Sequence, residues 1–354
     1  MKEYVFVGTY TNTKSKGIYG FAQEQGMITE PKLMAVEESP TYLCVNAEGT
    51  VLYSVEEPEA GPGRLSSYEI HRDAAGEICG LERTSQKEAP SLGLCHVVLS
   101  PDEHFLLVTS YVDATVQVYE ILADGSLGKL CYKLIRSGKG PNPDRQEKAH
   151  AHSVTFAPDG SFFYVCDLGT DHLAAFRLSD AGEMIAIPER TIECPAGYGP
   201  RHMVFSPDGR HAYVVTEIVD HLLHYIYEDG KMTLVQDLLA TRAQDPANTG
   251  AAVRVSSDGR FVYISNRGEN TITVYRVREN ETLMQIQHIR AQGQTPREFA
   301  LSLDEQTAYA GNQDNDSLTV FLRDPETGLL RPNGVTKAIG SPVAIVSVKN
   351  GKSA

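Results

Sequence analysis

At 354 residues, with 41% hydrophobic side chains and a formal net charge of −14, the chain has the composition expected of a soluble globular protein. Acidity of that size excludes partners that need a basic face, so no nucleic-acid partner is expected. No run is apolar and long enough to cross a membrane, and the opening Met1-Lys2-Glu3-Tyr4 lacks the apolar core of a signal peptide.

Taken in chain order, the first elements are two short β-rich segments, Tyr4 to Tyr10 and Ile18 to Phe21. From Pro40 to Glu56 an apolar segment, a turn at Glu48-Gly49 and a second apolar segment predict a hairpin. The hairpin returns from Cys95 to Tyr111 around Ser100-Pro101-Asp102-Glu103, and from Ala151 to Asp167 around Ala157-Pro158-Asp159-Gly160. It returns again from Gly199 to Glu217 around Ser206-Pro207-Asp208-Gly209, and from Ala251 to Arg267 around Ser256-Ser257-Asp258-Gly259. A weaker copy runs from Pro296 to Gln313 around Asp304-Glu305. After each copy comes a third short strand ending in an aromatic, at Tyr68, Tyr119, Phe176, Tyr225, Tyr275 and Phe321. A period of roughly fifty residues with several strands per repeat predicts β-propeller blades.

Six copies are complete. The seventh is divided, with Pro342 to Val348 and the turn Asn350-Gly351 supplying its innermost strand and the first two segments of the chain its next two. The expectation is an all-β, seven-bladed β-propeller closed by strands from both termini, one domain over residues 1–354, with no helix required. Six cysteines (Cys44, Cys79, Cys95, Cys131, Cys166 and Cys194) are scattered without a Cys-x-x-Cys pair, which reads as reduced thiols in a cytoplasmic protein.

A hairpin brings its first and last residues to one edge. Alignment on the turns places Thr41, Cys95, His152, Arg201, Ala251, Arg297 and Val343 at the head of each inner strand. Tyr42, His96, Ser153, His202, Ala252, Glu298 and Ala344 follow them, and Glu56, Tyr111, Asp167, Glu217, Arg267 and Gln313 end the second strands. For one hairpin, Arg201 with Glu217 reads as a surface salt bridge. Repeated around a ring, these positions gather charged groups at one channel mouth, where desolvation makes them costly unless they serve a ligand. Several guanidiniums point to an anion, each charge-assisted bond contributing roughly 1.5–3 kcal/mol. His152 and Glu217 are the available general acids or bases.

Residues 137–148 form a long charged loop that leads into His150-Ala151-His152 and is expected on the same rim. His150, His152 and Asp167 also invite a metal reading, but no third histidine recurs in register and the neighbouring arginines would repel a cation. No metal and no cofactor are expected.

These residues resemble the seven-bladed lactonase propellers, a family that includes bacterial 6-phosphogluconolactonases and a fungal carboxy-muconate cyclase. The resemblance spans the whole chain. It rests on Val7-Gly8-Thr9-Tyr10-Thr11 with Gly17-Ile18-Tyr19, on Gly140-Pro141-Asn142-Pro143-Asp144-Arg145-Gln146 ahead of His150-Ala151-His152-Ser153, and on Gly199-Pro200-Arg201-His202 with Glu217. Ser265-Asn266-Arg267-Gly268, Thr295-Pro296-Arg297 and Asn312-Gln313-Asp314 complete it.

The resemblance implies a catalytic set of His152, Glu217, Arg201 and Arg267. It implies hydrolysis of 6-phospho-glucono-1,5-lactone in the pentose phosphate pathway, the partner being a small anionic sugar lactone. Arg297 is expected to hold the phosphate, and His202, Asp167, Arg145 and Gln313 complete the expected substrate-binding set. Either His152 or Glu217 would activate the water, with an acid limb near the usual imidazole pKa of roughly 6.5 if it is His152. Ala251-Ala252 departs from the other blades and would leave an open sector for substrate bulk. Two alternatives use the same rim: a muconate-type cycloisomerase, and a non-catalytic scaffold, which would instead carry apolar or aromatic groups on its top face.

Overall fold

The computed structural model describes residues 2–228 and 230–351. Seven antiparallel sheets make up the fold, and within most of them each strand pairs with the one before it in the chain. Blade 1 holds Pro40–Val45, Val51–Glu56, Arg64–Arg72 and Ile78–Glu88, and blade 2 holds Leu94–Leu99, Phe105–Ser110, Thr115–Ile121 and Leu127–Ile135. Blade 3 comprises Ala151–Phe156, Phe163–Asp167 and His172–Leu178, its outer edge divided between Met184–Ala186 and Ile192–Glu193. Blade 4 is Pro200–Phe205, His211–Thr216, His221–Glu228 and Lys231–Leu239. Blade 5 is Thr249–Val255, Phe261–Arg267, Thr271–Val277 and Leu283–Arg290, and blade 6 is Pro296–Leu301, Thr307–Asn312, Ser317–Arg323 and Leu330–Ala338.

Blade 7 closes the ring from both ends of the chain. Its inner strand is Pro342–Lys349, which pairs with Lys2–Thr9, followed by Gly17–Glu24 and by Met27–Ile28 and Lys32–Val36. Each inner strand touches the inner strand of the next blade, and Pro342–Lys349 touches those of blades 6 and 1. Among the described residues there is no α-helix, only two single 3₁₀ turns at Pro188–Arg190 and Gln313–Asn315.

The turn chemistry explains the hairpins. In blade 4 the Ser206 hydroxyl binds Asp208 Oδ1 at 2.5 Å and accepts from the His211 amide at 2.9 Å. The chain then reverses through Gly209 at φ +70°, a conformation that glycine adopts without steric cost.

Seven apolar clusters fill the seams between blades, and they account for the recurring aromatic. Tyr119 packs in the seam between blades 1 and 2, Phe176 between 2 and 3, and Tyr225 between 3 and 4. Tyr275, Phe321, Phe21 and Tyr68 occupy the remaining seams in order. The aromatic is not the last residue of its strand, as the sequence suggested. Thr115–Ile121, for example, runs on past Tyr119, because the ring must sit mid-strand to reach the neighbouring sheet.

One irregularity recurs in every blade. The pairing of inner with second strand skips one residue at Thr41, Cys95, His152, Arg201, Arg297 and Val343, and two residues oppose one at Ala251-Ala252. These are β-bulges, which re-aim side chains at the end of a ladder. An unbroken strand would send neighbouring residues to opposite faces. With the bulge, Arg201 and His202 both reach the same cluster of polar groups.

Candidate active site

Glu217, one residue beyond the strand His211–Thr216, is the hub. Its Oε2 takes Arg201 Nε at 2.9 Å and Arg267 Nη2 at 2.8 Å, and its Oε1 takes Arg145 Nη2. His152 Nε2 stands 4.0 Å from Oε2. Blades 3, 4 and 5 and the loop ahead of blade 3 thus converge on one buried carboxylate, bringing together all four expected catalytic residues and Arg145.

Backbone carbonyls hold the arginines from behind. Arg201 Nη1 donates to Ala251 O at 2.7 Å and Arg267 Nη2 to Gly250 O at 2.7 Å. The small residues heading blade 5, which suggested an open sector, place these carbonyls within reach. A side chain at Gly250 would bring its Cβ to 2.3 Å from Thr216 O, so glycine is required there. Arg267 Nε is buried and has no hydrogen-bond partner among the described residues.

Arg297 lies apart from this hub. Its guanidinium sits 5.6 Å from the centre of the Tyr10 ring, and among the described residues it makes no hydrogen bond or ion pair. Tyr10 in turn donates to Glu57 Oε2 at 3.0 Å. Four arginines at the mouth therefore face one shared carboxylate and the more distant Glu57, a local excess of positive charge in a protein of net charge −14.

The loop before blade 3 folds around Gln146. This fully buried side chain donates to Leu168 O at 2.9 Å and accepts from the Asn142 amide at 3.1 Å. Asn142 Oδ1 accepts from the amides of Asp144 and Arg145 at 3.0 and 3.1 Å, which aims Arg145 at the mouth. Gly140 packs against Gln146 so closely that a Cβ would lie 2.5 Å from its carboxamide.

Two expected substrate-binding residues lie elsewhere in the network. Asp167 is fully buried, accepting from the His150 amide at 2.9 Å and pairing with Arg136 Nε at 3.1 Å, so it anchors the loop and the head of blade 3. Gln313 donates to Asp314 at 3.1 Å and, among the described residues, has no hydrogen bond to the Glu217 hub. His150 does not converge with His152. Its ring stacks on Tyr111 at 4.3 Å, and its nitrogens meet Tyr111 O at 2.8 Å and Glu147 at 3.2 Å.

Sequence reasoning passed over Tyr111, whose hydroxyl accepts from Arg145 at 3.3 Å, although it aligns with Glu217 at the end of a second strand. It also passed over Tyr42 and His96, which align with His202. The Tyr42 and His96 rings lie 4.4 Å apart, His96 and His202 5.5 Å, and His202 and His152 5.1 Å. Glu298 at the same level pairs with Arg254 Nη2 at 2.6 Å.

Electrostatics divide these groups. Burial disfavours the charge on Glu217, but Arg267, Arg201 and Arg145 outweigh it and hold the carboxyl well below the usual range. Burial, reinforced by Arg201, pushes His152 well below the ordinary imidazole value, against the opposing pull of Glu217. Burial, with Arg201 and Arg254, brings His96 down to about 3, and His202 is likewise driven well down. Burial together with Arg267 and Arg297 lowers Arg201 to about 10, still charged at neutral pH. At neutral pH the mouth therefore presents an ionised glutamate, cationic arginines and three neutral imidazoles. If His152 is the base, its acid limb lies below the expected value of roughly 6.5.

The chain belongs to the family of seven-bladed β-propeller lactonases, whose family model matches residues 4–347. It is a lactonase, a carboxylic ester hydrolase. The 6-phosphogluconolactonase of Bacillus subtilis (strain 168) is 34% identical over 352 residues, 98% of each chain. A 6-phosphogluconolactonase of Formosa agariphila is 27% identical over 339 residues, 92% of this chain and 94% of its own. The solved structure of a Pseudomonas aeruginosa periplasmic gluconolactonase superposes with a TM-score of 0.92 at 29% identity, covering 99% of this chain and 100% of its own.

Proposed function

We propose that this lactonase hydrolyses 6-phospho-D-glucono-1,5-lactone to 6-phosphogluconate, without a metal, as a cytoplasmic enzyme of the pentose phosphate pathway acting through its whole chain as one domain. The observation that carries the phosphate is Arg297, a guanidinium at the mouth that makes no ion pair among the described residues, beside three others that share one carboxylate. The Bacillus and Formosa relatives bear the corresponding name. Free, scattered cysteines suit a reducing compartment.

The reaction needs a water to attack the ring carbonyl, a stabiliser for the oxyanion and a proton for the departing ring oxygen. In this reading His152 is the general base. Its neutral imidazole accepts the proton from water, and Glu217, engaged by three guanidiniums, is too weak a base to compete. The unpartnered Arg267 Nε is a donor available to the oxyanion, and Arg201 lies beside it on the same carboxylate. The imidazolium then returns its proton to the ring oxygen as the C–O bond breaks. The product's new carboxyl group ionises, so one proton is released overall. A phosphate bound nearby compensates the arginine charge that depresses His152, strengthening the base when substrate is present.

The Pseudomonas structure favours a second reading, an unphosphorylated gluconolactone. Proton release from freshly made 6-phosphogluconolactone and from gluconolactone separates the two, with a preference of at least tenfold for the phosphorylated lactone expected. Arg297→Ala should raise KM for the phosphorylated lactone more than it lowers kcat, and affect gluconolactone much less. Equal losses on both substrates would remove Arg297 from phosphate binding, and a wild type without preference would favour the second reading.

A further inference from the structure

Beside His152 the channel carries further aromatic and polar groups, and the proposed chemical step gives no role to two of them, His96 and His202. His96 from blade 2, His202 from blade 4 and His152 from blade 3 touch edge to face, and the Tyr42 ring of blade 1 lies against both His96 and His202. His96 and His202 are 8% and 4% exposed, and neither imidazole makes a hydrogen bond to any described residue. His96 Nδ1, His202 Nε2 and His152 Nδ1 are buried and have no hydrogen-bond partner among the described residues. Buried polar atoms are otherwise nearly always satisfied, so a cluster of three orphans in one channel marks a place where a ligand supplies the partners.

The chemistry of that ligand follows from the charge state. Burial, reinforced by Arg201 and Arg254, disfavours a proton on either ring, and Glu298 is already paired with Arg254. A neutral imidazole offers one N–H donor and one acceptor nitrogen. Such a pair suits a group that both donates and accepts, which is a hydroxyl, and does not suit a phosphate or carboxylate. The aromatic faces of Tyr42 and the imidazoles add an apolar surface for the C–H side of a sugar ring.

We propose that His96 and His202 are specificity-determining residues that read ring hydroxyls of the lactone, so that the enzyme selects polyhydroxylated lactones over hydroxyl-poor ones. The assignment rests on the lactonase reading above. It divides recognition between two sets of groups, arginines for the anionic end and neutral imidazoles for the polyol.

The test measures kcat/KM for gluconolactone and for δ-valerolactone, which has the same ring without hydroxyls, in the wild type, His96→Phe and His202→Phe. The wild type should prefer gluconolactone by at least a hundredfold. Each phenylalanine variant, which keeps the ring but not the nitrogens, should lower that preference at least tenfold. His96→Asn, whose carboxamide can replace Nδ1, should restore part of it. A preference unchanged in both variants overturns the assignment, since a purely structural role would lower both substrates together. If one variant fails to fold, judged by its thermal melt, the other still decides. A wild type that hydrolyses both lactones equally well overturns this assignment alone, and one that hydrolyses no lactone overturns the lactonase reading as well.

Discussion

Replacing Glu217 with glutamine removes one charge from a cluster in which three guanidiniums share it. Glutamine keeps the shape and one acceptor oxygen, so the perturbation is electrostatic. Removing one partner of a buried ion pair typically costs about 3–5 kcal/mol. For 354 residues, an unfolding entropy of about 2.1 cal/mol/K per residue gives roughly 0.7 kcal/mol per degree. The melting temperature of Glu217→Gln should therefore fall by about 4–7 °C at pH 7. Because the folded carboxyl is held below its ordinary range, its contribution is fully present above the unfolded pKa and is lost as pH falls through the folded one. The gap between wild type and variant should stay constant from pH 5 to 8 and close only in stronger acid. Inorganic phosphate should raise the variant's melting temperature more than the wild type's by supplying the missing negative charge. Turnover should drop by about 10²–10³-fold as Arg201 and Arg267 lose their common anchor. Calorimetry across this pH range would refute the reasoning if the melting temperature moved by less than about 1 °C, because the carboxylate would then not be the hub.

His152→Gln should cost about 10²–10⁴-fold in kcat, and the wild-type acid limb in kcat/KM should lie well below 6.5, since burial and Arg201 keep the imidazole neutral. A limb at or above 6.5 in the pH–rate profile would count against His152 as the base. Glu37, buried beside Glu56 and bonded to Ser54, is raised to about 7 by burial and then by Glu56, so the stability it contributes is complete below about 4.5 and lost as pH rises through 7. Glu37→Gln mimics the protonated form and should stabilise the protein at pH 8, by up to about 3 kcal/mol, in denaturant titrations; no gain at pH 8 would contradict the shift. Dialysis against EDTA should leave lactone hydrolysis intact, and loss restored only by a divalent cation would show that a metal takes part.

The blades were legible because their signals are local. A turn such as Ser206-Pro207-Asp208-Gly209 fixes a hairpin within itself, and the repeat period then fixes the ring. His152, Arg201, Arg267 and Glu217 were legible for a related reason, since aligned turns place equivalent residues at equivalent radii. Less accessible were interactions that depend on which neighbour a side chain meets. Asp167 ends a second strand and Glu217 follows one, yet Asp167 has Arg136 and a loop amide beside it, so it anchors where Glu217 gathers arginines. The carbonyls of Gly250 and Ala251 that hold two arginines leave no trace in side-chain chemistry. His96 and Tyr42 were aligned with His202 at the mouth but passed over, because their ring contacts with one another depend on the neighbouring blades.

The bulge at the head of all seven inner strands gives each blade two consecutive positions near the axis instead of one. Tyr42, Ala252 and Ala344, each second in its pair, also reach a seam, whereas the first positions lie outside the seam clusters and can diverge while the scaffold stays the same. Blade 5 illustrates the freedom, carrying Ala251-Ala252 where blade 4 carries Arg201-His202. An engineer seeking a new lactone could rewrite the first of these positions blade by blade, leaving every seam as it is. The arrangement also has a weak point. Deleting the single extra residue of one bulge would restore strict alternation and turn that blade's contribution away from the pore, disabling the site while the ring still closed.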